Sequence, residues 1–159
     1  MTVMELYDVM RTTFAARDFT DDPVPDEVLH RILDHARFAP SGGNRQGWKV
    51  IIVRDDAVKK QLGELCLPAL RVYWKQHKAG ESPWQTVTPS VVDPQEAMAD
   101  TEMRLPIPMF EALDEVPVVL IVAVDLRYVA SMDKELDRIG VISGGSIYPL
   151  CWNIALGAR

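Results

Sequence analysis

A chain of 159 residues, 48% hydrophobic and 25% charged, has the size of one domain and enough apolar residues to bury a core. Its composition excludes disordered, collagen-like and coiled-coil classes. The net charge of −6 argues against a general binder of nucleic acid or anionic membranes, although single basic residues can still hold a small anion.

Taken in order, the opening residues Met1 to Asp8 carry no basic segment followed by a long apolar one, so they do not read as a secretory signal. Leu6, Val9, Met10 and Thr13 space as one face of a helix running from about Thr2 to Thr13. A turn-rich link through Pro23 and Pro25 leads to Asp26 and Glu27, acids suited to a helix N-terminus. The stripe Val28, Leu29, Ile32, Leu33 and Ala36 makes this the second helix, and Pro40-Ser41-Gly42-Gly43 ends it. Trp48 to Val53 reads as a buried strand, and Asp55 to Leu65 returns to helical spacing.

Residues 77–108 hold five of the prolines and read as a long excursion or lid within a single domain covering 1–159. Val116 to Asp125 is a second buried strand. This longest apolar run contains Pro117 and falls far short of the ~20 residues that span a bilayer. From about Asp137 to Arg159 the chain reads as helical with interruptions at Gly144-Gly145 and Pro149, beginning either before Gly144 or at Ser146. Helices alternating with a few strands give an α+β or α/β chain. Cys66 and Cys151 form no CxxC pair, and His30, His35 and His77 lack ligand spacing, so neither a disulfide framework nor a metal site is expected. The whole reads as a soluble, cytoplasmic protein.

Three segments carry candidate chemistry. Arg11 and Arg17 flank a turn and either converge on a phosphate or lie solvated on the surface. Pro40 to Trp48 combines two glycines, which admit close backbone approach, with Ser41, Asn44 and Gln46, whose groups both donate and accept. Those groups suit the edge of a heteroaromatic ring, and equally an ordinary turn. Ser143-Gly144-Gly145-Ser146 matches neither GxGxxG nor a P-loop, and helix entry or close packing is its simplest meaning. No Ser-His-Asp set stands out.

In this order the segments resemble the nitroreductase family of FMN-dependent oxidoreductases. Phe38-Ala39-Pro40-Ser41-Gly42-Gly43-Asn44-Arg45-Gln46-Gly47-Trp48 is similar to the family's A-P-S-x-x-N-x-Q-P-W. Arg17-Asp18-Phe19 followed by Pro23-Val24-Pro25-Asp26-Glu27-Val28-Leu29 is similar to its R-x-F and P-V-P-x-E-x-L opening. Val116 to Val122 resembles its central strand, and Ile147-Tyr148-Pro149 with Asn153 and Ala155 its following helix.

The resemblance implies an α+β, three-layer nitroreductase-like fold with a central, mostly antiparallel sheet flanked by helices. It implies a domain-swapped homodimer with an FMN site at each interface. Arg17 would face the FMN phosphate or ribityl chain, with Ala15 beside it. Ser41, Asn44 and Gln46 would approach the flavin from the partner subunit, and Gly144 and Gly145 would pass close to the ring. NADH or NADPH would supply hydride through the flavin to a nitroaromatic, quinone or similar acceptor, with no catalytic acid, base or nucleophile assigned to the protein.

Three departures stand out. Phe14 takes the place of a second basic residue, and Gly47 replaces the proline of Q-P-W, which predicts a looser turn. The chain stops at Arg159 where relatives continue into a G-L-G turn and another strand, so it reads as lacking the C-terminal part. The alternative is a member that binds flavin without turnover.

Overall fold

The structure, a computed structural model, describes residues 5–159; positions 2–4 of the expected first helix lie outside the described residues. In chain order the elements are α1 (Leu6–Thr12), α2 (Asp26–Ala36), β1 (Trp48–Val53), α3 (Asp56–Lys78), α4 (Pro94–Ala99), β2 (Val119–Val124) and α5 (Tyr148–Ala158). Single 3-10 turns occupy Gly42–Asn44, Pro108–Phe110, Leu113–Glu115 and Leu126–Tyr128. The helix-rich chain with its small sheet has the expected α+β character, and it divides into two compact units.

The first unit comprises residues 1–16, 22–52 and 120–159. Pro25 lacks the N–H that a helix start leaves unused, and Asp26 and Glu27 complement the positive end of α2. The stripe then buries Leu29, Ile32 and Ala36, and α2 packs on α5. Ala36, Ala39 and Leu150 (1% exposed) form the centre of the core, with Trp48, Val50, Val122 and Ile154 against them. Pro149 stands in the first turn of α5, which settles where that helix begins; residues 137–147 are not helical.

β1 and β2 pair as a two-stranded sheet, and the Asp125 amide donating to the Gly47 carbonyl (2.8 Å) fixes an antiparallel register. The expectation of fully buried strands is corrected: Trp48 and Val50 face the helices, whereas Ile51 is 51% exposed. Burial does not simply follow the alternation of faces: Ile52, on the side of Trp48 and Val50, is 39% exposed, and Val53, on the side of Ile51, is buried. Helix α1 departs similarly, because Leu6 is 62% exposed and the helix buries none of its residues.

The second unit comprises residues 17–21 and 53–119. Asp55 caps α3 by accepting the Val58 amide (2.9 Å), and the helix runs through Pro68 to Lys78, well past the expected Leu65. Lys59, 3% exposed, donates to the carbonyls of Asp114 (2.8 Å) and Val116 (2.5 Å) and pairs with Asp56 (2.9 Å). The Pro-rich stretch is bonded to α3: buried Gln76 accepts the Trp84 amide (3.1 Å) and donates to Ser90 Oγ (3.2 Å). Asp93 caps α4 by accepting the Gln95 and Glu96 amides, and Arg71 donates to the Met98 carbonyl. Among the described residues no helix is long and apolar enough to cross a membrane, and no cluster of metal-binding side chains occurs. Cys66 and Cys151 are free thiols.

Candidate functional site

Beyond α2 the chain makes a tight, unusual turn. Gly43 (φ +62°), Asn44 (φ +52°) and Gln46 (φ +48°) all adopt left-handed backbone, which costs glycine little, suits asparagine moderately and is uncommon for glutamine. The turn is tied by specific bonds. Ser41 Oγ accepts the Gln46 amide (3.0 Å), and the Ser41 carbonyl accepts the Asn44 amide (2.8 Å). Asn44 Oδ1 accepts from Gln46 Nε2 (2.9 Å). Ser146 Oγ, at the entry to α5, accepts the Gly42 amide (3.0 Å) and so joins two segments 104 residues apart in sequence.

The facing wall is residues 124–147. Asp125 caps the Leu126–Tyr128 turn by accepting the Arg127 amide (3.0 Å), and the Arg127 guanidinium closes on the same carboxylate. That hydrogen bond holds the Asp125 carboxyl below its ordinary range and pushes Arg127 up. Tyr128 packs on Gly47 so closely that a Cβ there would stand 2.5 Å from Tyr128 Cβ. The turn that the missing proline was expected to loosen is therefore filled by a ring.

Further on, buried Asp133 accepts the Val141 amide (2.6 Å) and the Arg138 guanidinium (3.1 Å), closing residues 133–141 into a loop. The Val141 bond is the main reason its carboxyl titrates low. Ser131 and Ser143 hydroxyls meet 3.0 Å apart at the neck of this loop.

Between the turn and this wall lies a cavity of about 240 Å³, with Trp48, Val124, Met132, Ile142 and Ile147 as its apolar surface. Ser41, Gln46 and Ser146 contribute polar groups, and among the described residues Arg45 is the one charged residue on its lining. Trp48 Nε1 is buried and has no hydrogen-bond partner among the described residues. Trp48 also borders a second cleft, of about 370 Å³, shared with His30, Leu33, Val50 and Ile52.

Of the residues singled out in the sequence, Ser41, Gln46 and Gly145 line the cavity, and Asn44 reaches it through its bond to Gln46. Gly144 lies under the Tyr148 ring, where a side chain would collide. Ala15 follows α1 in the first unit; Arg17 belongs to the second unit, where it lines a cleft with Phe19, Met109 and Glu115. Arg45, Tyr128, Met132 and Ile142 escaped the sequence reading. Arg45 sits inside the motif, between two residues that were chosen, whereas the other three lie in a stretch without periodicity that only folding brings to the cavity.

The Nitroreductase family model matches residues 10–159. A Thermus thermophilus NADH dehydrogenase is 46% identical over 48 residues, which cover 30% of this chain and 23% of that protein. A Thermotoga neapolitana iodotyrosine deiodinase is 30% identical over 79 residues, 50% of this chain and 42% of its own length. The chain's matched stretches thus span less than half of either relative. Among solved structures, an oxidised iodotyrosine deiodinase bound to FMN and 3-iodo-L-tyrosine superposes with TM-score 0.62 at 22% identity, covering 96% of this chain and 68% of that one. A Desulfitobacterium hafniense nitroreductase with bound FMN gives 0.57 at 22% identity, covering 99% and 65%. These likenesses establish the fold.

Proposed function

This chain belongs to the nitroreductase family, and from that premise we propose that it is an FMN-dependent oxidoreductase whose flavin ring occupies the cavity between the 41–48 turn and the 124–147 wall. The observation that carries the reading is convergence: Ser41 and Gln46 from one segment and Gly145 and Ser146 from another meet around a single apolar space. The donor set fits the group, because a flat apolar ring with a carbonyl and N–H edge needs apolar walls and a few amides and hydroxyls. An indole N–H buried without a partner on the same lining adds an unspent donor.

When bound, FMN supplies two-electron chemistry between NADH or NADPH and a nitroaromatic, quinone or related acceptor. The protein's residues then bind and orient. Ser41 holds the turn, Asn44 and Gln46 present amide groups, and Gly145 allows backbone approach, with Gly144 beside it under the Tyr148 ring. Trp48 and Val124 keep water out. By the family resemblance, Arg17 with Ala15 is assigned to the FMN phosphate or ribityl chain.

The chain works as a cytoplasmic homodimer; the support is the exposed apolar surface of Leu126, Met132, Val141 and Tyr148, of the kind that marks subunit contacts, together with two free thiols. Deiodination of an iodotyrosine is the second reading, favoured by the deiodinases among the relatives.

The test is the visible spectrum of the purified protein, with flavin released by heat and identified. About one FMN per chain, bleached by NADH or NADPH, is expected. A colourless protein that does not take up added FMN would overturn the reading, and flavin that neither nicotinamide reduces would identify a binding protein without turnover.

A further inference from the structure

Four arginines elsewhere in the chain are closed on carboxylates. Arg11 pairs with Asp8, Arg37 with Asp34, Arg127 with Asp125 and Arg138 with Asp133. Arg45 is different. It is exposed, it lines the cavity, and no carboxylate among the described residues pairs with it, although the chain carries 23 acids.

Its position follows from the strained turn. Left-handed residues on both sides, Asn44 and Gln46, carry Arg45 to the edge of the apolar space. The Arg45 stem lies across Gly43 at ordinary contact distance, 3.6 Å from the Cβ position to Arg45 Nε. Backbone held in sparsely populated conformations persists where surrounding bonds over-determine it, and such places concentrate at ligand sites. Here the bonds of Ser41 and Ser146 do so.

We propose that Arg45 is a specificity residue that binds an oxyanion on the acceptor, so that the preferred acceptor is a compact aromatic molecule bearing a carboxylate. The proposal rests on the reading of the cavity as the flavin site. An exposed cation on the lining meets the molecule that enters last. Arg45 borders the space whose apolar wall carries the flavin ring, so an anion on its guanidinium belongs to a molecule lying against that ring. That proximity describes an aromatic carboxylate better than a phosphate at the end of a long flavin side chain. The planar fork of arginine matches carboxylate geometry, and the surrounding apolar lining strengthens the pairing.

The experiment compares wild type with Arg45→Gln and Arg45→Lys, using FMN-supplemented protein. The acceptors are 4-nitrobenzoate and its neutral counterpart 4-nitrobenzamide, and FMN affinity is measured alongside. Calorimetric titration with non-reducible benzoate and benzamide gives a readout independent of turnover. Arg45→Gln is expected to raise KM for 4-nitrobenzoate about tenfold, the scale of a charge-assisted hydrogen bond, with kcat and the benzamide series little changed. Arg45→Lys is expected to recover part of the loss. Equal effects on both acceptors, or none, overturn the proposal. Loss of FMN affinity instead assigns the oxyanion to the flavin phosphate, which also overturns it. If the wild-type protein holds no flavin, the reading of the site falls, and the benzoate and benzamide titrations still decide the role of Arg45.

Discussion

Gly47 and Tyr128 share one packing site: the Tyr128 Cβ and the edge of its ring lie where any other residue at 47 would place its side chain. Gly47→Ala is expected to lower stability by about 1–3 kcal/mol through overpacking. Tyr128→Gly in the same chain, which removes the Cβ 2.5 Å away together with the ring, should recover part of that loss. Additive losses in denaturant titrations of the two single variants and the double would disprove the shared site.

Gln46 is held at φ +48°, a conformation glycine adopts without penalty. Gln46→Gly should therefore unfold at a denaturant concentration no lower than wild type, because relief of about 1 kcal/mol of strain offsets the lost bond to Asn44. The same variant should hold FMN more weakly. Stability lost together with flavin would mean that the glutamine serves the fold.

Lys59 lies buried with its ammonium on two carbonyls and one carboxylate. Replacing it by methionine keeps the stem and strands both carbonyls. A loss of about 2–4 kcal/mol is expected. Thermal unfolding of Lys59→Met against the surface control Lys60→Met checks it; equal midpoints would show that the ammonium contributes nothing.

Asp133 titrates below its ordinary value because the Val141 amide and then Arg138 favour its ionised form. A depressed carboxyl stabilises the folded loop fully above its unfolded pKa of about 3.9, and that contribution is lost as pH falls through the folded value. At neutral pH the loop should be closed. The Val141 amide proton resonance should titrate with a midpoint below about 3.9, and this step should vanish in Asp133→Asn. A midpoint at or above the ordinary value would contradict the clamp.

Local patterns in the sequence carried much of the fold. The α2 stripe, the β-branched runs of both strands and the proline at the start of α5 each depend on neighbours a few residues away. Ile51 and Leu6 were misread because burial depends on which layers cover a face, and spacing carries no record of that. The length of α3 was hidden by Pro68, which argues for a break that the helix does not make. At the site, Ser41 and Gln46 were legible as a turn with unusual donors. Met132 and Ile142 were not, since a loop closed by one carboxylate, Asp133, has no period to detect. Arg45 was visible in the motif, and what drew no attention was the absence of a counter-charge, a property of the folded surroundings.

Trp48 lines both the cavity beside Gln46 and the cleft beside His30. If a molecule in one space moves the indole, it changes the volume of the other. Occupancy of the two spaces is then thermodynamically linked, and the linkage is reciprocal: whatever loosens binding in one by filling the other must itself be loosened to the same degree.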